Sequence, residues 1–243
     1  NSEESREAML REASAAAPLS HPNVCTIYAV DEEDGLPLIA MEFLEGQPLT
    51  NLIAARLPPD QRQRIARGIA RGLTAAHAVG TVHGDLKPAN VIVGDDLTPR
   101  IMDFGLARRG AHFVRASVGA NEPGDPSATA TAISIPNGRG ASVISGTPAY
   151  MAPEQLAGDP ATPASDVFAF GLLLFELSTA ERALPDANLA QILMRLENPR
   201  LAAELAAAMP PAWRALAESM LAHNPALRPA MADVLAQLEA AEF

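Results

Sequence analysis

The sequence predicts an α+β fold. Three observations predict it. Apolar, β-rich runs come in two pairs, each joined by a polar turn, and so read as two hairpins. Helical periodicity governs the stretch that starts at Pro58 and most of the second half of the chain. Around the second hairpin, from His83 to Gly105, the chain concentrates carboxylate, amide and ammonium side chains.

Taken in order, residues 2–17 are rich in Glu, Arg and Ala and predict a helix, with Met9, Ala13 and Ala16 on its apolar stripe and Glu12 on the same face. A carboxylate on such a face needs a partner. The helix stops before Pro18. After His21-Pro22-Asn23 comes the first hairpin, Val24–Val30 and Leu36–Phe43, around the acidic turn Asp31–Gly35. Pro58-Pro59-Asp60 opens a long helix with Ile65, Ile69, Leu73 and Ala76 at helical spacing, and Gly80 stands where the residue beyond a C-cap is expected. His77, near its end, reads as structural. The second hairpin is Val91–Val93 and Arg100–Met102 around Asp95–Pro99.

Residues 107–145 are dominated by Ala, Gly, Ser, Thr and Pro, with a basic cluster at Arg108, Arg109, His112 and Arg115, and predict a long disordered loop. A helix from Ser165 to about Thr179 is apolar nearly all round and should be a buried axis. Residues 187–242 predict several amphipathic helices broken at Pro199, Pro210-Pro211 and Pro225.

Composition narrows the function. A formal net charge of −11 argues against nucleic acid or an anionic membrane surface as partner. The single cysteine, Cys25, excludes an internal disulfide, reads as a small buried hydrophobe in a strand, and fits a reducing, cytoplasmic compartment. The longest apolar run, Val167–Phe175, falls far short of the ~20 residues of a membrane span. The first residue, Asn1, is not methionine, so the chain is expected to start inside a longer protein or after processing.

The chemistry centres on Asp85, Lys87, Asn90 and Asp103, which folding of the second hairpin brings to one rim. Phosphoryl transfer needs such a set: a carboxylate to take a hydroxyl proton, oxygen ligands for magnesium, and a cation beside the moving phosphoryl. Seventeen of the 18 basic residues are arginine; Lys87 is the only lysine, and it sits where a compact point charge is wanted.

The string His83-Gly84-Asp85-Leu86-Lys87-Pro88-Ala89-Asn90, with Asp103-Phe104-Gly105 and Gly146-Thr147-Pro148 through Ala152-Pro153-Glu154, resembles the eukaryotic-like, bacterial-type Ser/Thr protein kinases over almost the whole chain. The resemblance implies an α+β, kinase-like fold: a partial small lobe of one helix and a β-hairpin, residues 1–43, then a mostly helical large lobe, residues 44–243. It implies ATP and Mg as cofactors and protein Ser/Thr hydroxyls as substrates. Asp85, Lys87, Asn90 and Thr147 become catalytic, with Asn90 and Asp103 holding magnesium. Glu12 takes the place of the helix glutamate that pairs with a phosphate-holding lysine. Met41, Glu42 and Leu44 fall at the hinge, and with Ile92 and Met102 they complete the nucleotide-contacting set. Asp166 matches an aspartate that anchors the catalytic loop backbone, and Arg228 is expected to pair with Glu154.

The chain departs from the family in two ways. The glycine-rich loop and the strand lysine are missing, so a kinase fragment is expected, one that binds MgATP poorly and is inactive alone. Gly84 replaces an arginine that reads loop phosphorylation. The alternatives are a pseudokinase scaffold and a small-molecule phosphotransferase.

Overall fold

A computed structural model describes residues 19–33, 36–104, 133–137, 140–144, 148–184 and 189–241. Glu12, Thr147, the 2–17 helix and the basic cluster at 108–115 lie outside them.

The first hairpin pairs β1 (Ile27–Glu33) with β2 (Leu36–Met41) antiparallel, in a register running from Ile27↔Met41 to Glu33↔Leu36. It is displaced from the expected one at both ends. Asp31–Glu33, expected as turn, continue the strand, because backbone pairing with Leu36–Leu38 decides the conformation. Val24 and Cys25 instead join the second hairpin: Val24 bridges Ile101 in parallel, Cys25 N–H donates to the Ile101 carbonyl at 2.8 Å, and Ile101 N–H to the Asn23 carbonyl at 2.9 Å. At the far end β2 stops at Met41, and Phe43 is exposed.

A second sheet has the order β3-β4-β5: β3 (Gln47–Pro48), β4 (Val91–Val93) and β5 (Pro99–Ile101). The two-residue β3, with a proline in it, carries no strand pattern in the sequence. The expected pairing of residues 91–93 with the following run is present, as Val91↔Ile101 to Val93↔Pro99.

Helix α1 (Leu49–Ala54) leads to α2 (Pro59–Ala78), which buries Ile65, Ile69, Leu73 and Ala76 at the expected spacing. The C-terminus of α2 closes with Gly80 N–H on the His77 carbonyl at 3.0 Å and Thr81 N–H on the Ala76 carbonyl at 2.9 Å, a Schellman pair that needs the left-handed φ of 75° at Gly80. Gly68 and Gly72 let β5 approach the helix: a Cβ on Gly68 would stand 2.5 Å from the Pro99 ring, and one on Gly72 2.8 Å from the Asn23 carbonyl oxygen. Asn23 Nδ2 donates to the Pro99 carbonyl at 2.9 Å, so the turn after His21 is tied to the same seam.

Residues 133–137 and 140–144 form β6 and β7, an antiparallel pair. These ten residues lie within 107–145, and Ile133, Ile135, Val143 and Ile144 supply β-formers that a composition average hides.

After α3 (Pro153–Leu156), α4 (Pro163–Thr179) is buried from Ser165 through Leu177, as its all-round apolar pattern predicts. It packs against α2, α6 (Leu201–Ala208) and α7 (Pro211–Met220). Helices α5 (Leu189–Leu196) and α8 (Met231–Ala240) complete the helical part, and α8 lies along α2. Pro211 sits in the first turn of α7, where a missing N–H costs nothing. Among the described residues no helix is long and apolar enough to cross a membrane.

Candidate active site

The rim between α2 and β4 is built by fixing a backbone. Asp166 is buried in the first turn of α4 and accepts three hydrogen bonds: from His83 N–H at 2.8 Å, from Gly84 N–H at 2.8 Å and from His77 Nε2 at 2.8 Å. One carboxylate thereby gathers the end of α2, the start of the loop and the core helix. The anchor expected at Asp166 is present; the part of His77 in it had no signal in the sequence beyond a histidine near a helix end.

His83 is itself buried. Its Nδ1 faces the Asp85 N–H at 3.2 Å and its Nε2 the Met102 carbonyl at 2.9 Å. A backbone N–H only donates and a carbonyl only accepts, so Nδ1 is the acceptor and Nε2 carries the hydrogen. The ring also lies 4.8 Å from that of Phe104, tilted. His83 therefore spans from the loop to the segment holding Asp103.

Asp85 follows. Lys87 Nζ donates to its Oδ2 at 2.7 Å, with both side chains mostly but not wholly covered, 21% and 17% exposed. Asn90 Nδ2 donates to the Asp85 carbonyl at 2.9 Å and reaches Oδ2 at 3.5 Å. Lys87 and Asn90 can fold back on Asp85 because a 3-10 turn, Pro88–Asn90, returns the chain immediately before β4. Met102 N–H donates to the Asn90 carbonyl at 2.8 Å, which sets Asp103 one residue beyond the partner of Asn90. Asp103 is exposed and has φ of 60°, a left-handed conformation that Asp adopts more readily than most residues. Asp85, Lys87 and Asn90 are thus in direct contact, and Asp103 follows the residue whose backbone pairs with Asn90.

The donor set suits a hard divalent cation: Asp103 offers an accessible carboxylate, and the Asn90 amide, held through its nitrogen, turns its oxygen away from the Asp85 carbonyl.

The residues expected to contact nucleotide divide. Glu42, Leu44 and Ile92 line one recess, between the residues after β2 and β4. Met41 lines a second recess with Cys25, Ile39, Asp103 and Phe104. Met102 is buried and lines neither; its backbone is committed to His83 and Asn90. Arg100 on β5 pairs with the Glu42 carboxylate, a contact between the residues after β2 and the second sheet that no local pattern announces. Cys25 has its thiol pushed up, first by burial and then by the Asp103 carboxylate, and so matches the inert buried reading.

One further contact ties this rim to α3, and a second ties α3 to the segment before α8. Gln155 Nε2 donates to the Gly84 carbonyl at 3.0 Å while its Oε1 accepts from Ala152 N–H at 3.0 Å. The expected Glu154–Arg228 pair is bidentate, at 2.7 and 2.9 Å. Burial by itself would raise the Glu154 carboxyl; the hydrogen bonds from Arg228 and Ser165 and the Arg228 charge outweigh it and leave it below its usual range.

Comparison with known proteins adds the following. The family described as "Protein kinase domain" matches residues 1–238. "Serine/threonine-protein kinase PknL" of Mycobacterium tuberculosis is 35% identical over 235 residues, covering 94% of this chain and 53% of that protein. "Serine/threonine-protein kinase PknK" of Mycobacterium bovis is 35% identical over 241 residues, 93% of this chain and 19% of that protein. "Probable serine/threonine-protein kinase PkwA" of Thermomonospora curvata is 31% identical over 240 residues, 98% of this chain and 29% of that protein. The chain thus spans about half of such relatives' length, or less.

Proposed function

The chain belongs to the protein kinase domain family, and from that premise we propose that the protein containing it transfers the γ-phosphoryl group of ATP to serine and threonine hydroxyls of protein substrates. The observation that carries the reading is the Asp85 carboxylate held by Lys87 Nζ at 2.7 Å, with Asn90 closing on the same residue. When bound, ATP supplies the phosphoryl group and magnesium offsets the charge of its phosphates. Asn90 and Asp103 would hold the magnesium. Asp85 takes the proton of the incoming hydroxyl. Lys87 meets the negative charge that develops on the transferred group, a duty suited to a compact ammonium. Glu42, Leu44 and Ile92 line the recess that takes the base, and Met41 lines the separate recess that also holds Asp103. Glu12 and Thr147 complete the set, Glu12 on the phosphate-holding side and Thr147 in support of Asp85 and Lys87. The serine/threonine preference is supported by Lys87-Pro88 and by the printed names of the relatives.

The test is Asp85→Asn in the full-length protein. The amide keeps the shape and cannot accept the proton, so kcat should fall by about a thousandfold or more while MgATP binding by calorimetry changes less than threefold. A variant retaining more than a tenth of wild-type kcat would remove Asp85 from this role.

A further inference from the structure

We propose that Gln155 is a positioning residue for Asp85, acting through the Gly84–Asp85 peptide; the proposal rests on the phosphotransfer reading above. The argument is an accounting of backbone groups around Asp85. Gly84 N–H is taken by Asp166 Oδ1 at 2.8 Å. The next peptide unit carries the Gly84 carbonyl at one end and the Asp85 N–H at the other. Its N–H is taken by His83 Nδ1 at 3.2 Å and its carbonyl by Gln155 Nε2 at 3.0 Å. The Asp85 carbonyl is taken by Asn90 Nδ2 at 2.9 Å. Four side chains therefore hold the two peptides that flank Gly84 and the Asp85 carbonyl beyond them. Of the four, His83 and Asn90 belong to the loop itself and Asp166 to the core helix. Gln155 alone comes from α3, the segment that follows residue 147.

Position 84 makes that hold matter. Gly84 has φ of 78°, and with no side chain it has only its backbone to fix it. A rotation of the Gly84–Asp85 peptide would swing the Asp85 side chain, and misplacement of a reacting group by about 1 Å can cost up to a hundredfold in rate. Gln155 is itself well placed to resist this. It is the third residue of α3, and its Oε1 returns to the Ala152 N–H at 3.0 Å, the reciprocal half of a capping box. Its neighbour Glu154 is locked by Arg228 and by Ser165 Oγ at 2.8 Å. The amide thus bridges a rigid short helix to the peptide bearing Asp85, so a displacement of α3 is transmitted to that carboxylate.

Two substitutions separate this role from simple helix capping. Gln155→Glu keeps an oxygen for the Ala152 N–H and loses the donor to Gly84. Gln155→Met loses both. In the full-length protein, phosphate transfer to dephosphorylated casein, MgATP KM, melting temperature and amide exchange of Asp85 would be measured for each. Both variants should lower kcat roughly tenfold with MgATP KM within about twofold, and Asp85 amide exchange should quicken about fivefold. Gln155→Glu should melt within about 2 °C of wild type, since its cap survives. If Gln155→Glu keeps wild-type kcat and exchange while Gln155→Met is altered, the residue is a cap only and the proposal is overturned. Unchanged Asp85 exchange in both variants also overturns it, whatever the transfer rate. A wild-type protein that transfers nothing, with exchange quickened in the variants, overturns the phosphotransfer reading and the positioning role together, leaving the contact itself demonstrated.

Discussion

Replacing Arg228 with methionine should destabilise the helical part by about 3–5 kcal/mol, the usual cost of removing one member of a buried ion pair. The size follows from how completely the guanidinium is used. Its side chain is 0% exposed and all five of its N–H groups are placed. Two go to Glu154, at 2.7 and 2.9 Å; the others go to the carbonyls of Ala222 at 2.8 Å, Ala164 at 2.9 Å and His223 at 3.1 Å. The cation also stacks 4.8 Å above the Phe168 ring. Methionine fills part of the volume and none of these needs, and leaves a carboxylate 11% exposed with Ser165 as its remaining side-chain donor. Urea unfolding followed by the fluorescence of Trp213, the only tryptophan in the chain and fully buried, reads the loss directly. With a slope of about 3 kcal/mol per molar, the midpoint should fall by roughly 1–1.7 M. The pH dependence gives a second check. Because Glu154 titrates lower folded than unfolded, its contribution is fully present above an unfolded value of about 4.3 and fades as pH falls through the folded value. Arg228→Met should therefore lose most at pH 6–7, and the gap to wild type should narrow on acidification below about pH 4. Glu154→Leu added to Arg228→Met should recover at least ~1 kcal/mol, since no buried carboxylate is then left unmatched. A loss under ~1 kcal/mol at neutral pH would refute the reasoning.

Two glycines should respond for opposite reasons. In Gly68→Ala the new methyl would meet the Pro99 ring at 2.5 and 2.7 Å, atoms of a strand that cannot swing aside, so overpacking should exceed the ~1 kcal/mol helix-propensity gain and leave a net loss of about 1–2 kcal/mol in urea unfolding. Gly80→Ala meets nothing within 4 Å, and its cost should be only the ~1 kcal/mol of a left-handed φ, with Gly80→Asn losing less on the same measurement.

What was legible in the sequence depends on how far apart the interacting groups are. The spacing of Asp85, Lys87 and Asn90 is a local constraint: a 3-10 turn of three residues carries the chain from Lys87 back to Asp85, so the motif announces its own geometry. The same holds for α2, with a core face at helical spacing and a glycine beyond its end, and for α4, apolar on every side. The first hairpin was legible as a hairpin but not in its bounds. Val24 and Cys25 are as β-prone as Ile27, and only the partner strand decides that they pair with Ile101. Contacts between distant segments had weaker signals or none. His77 with Asp166, Arg100 with Glu42 and Gln155 with Gly84 lie 89, 58 and 71 positions apart. A glutamine three residues after an N-cap does hint at a cap, but not at the carbonyl its other end will meet.

That division explains how the candidate site is assembled. The reactive side chains come from one short stretch, which can be read, while their orientation comes from groups recruited across the fold, which cannot. Asp85 stands on a peptide whose neighbours are held by Asp166 from the core helix and by Gln155 from α3. Neither of these touches the Asp85 carboxylate itself among the contacts described. Glycine at 84 leaves the peptide that precedes Asp85 without a side chain to restrain it. The orientation of that peptide is therefore set partly by the loop's own His83 and partly by the helices that carry Asp166 and Gln155. Stability of the α3–α4–α8 corner, where Glu154 and Arg228 meet, and geometry at Asp85 are then two readings of one network. A substitution at Arg228 should disturb both, whereas Gln155→Glu should disturb only the second.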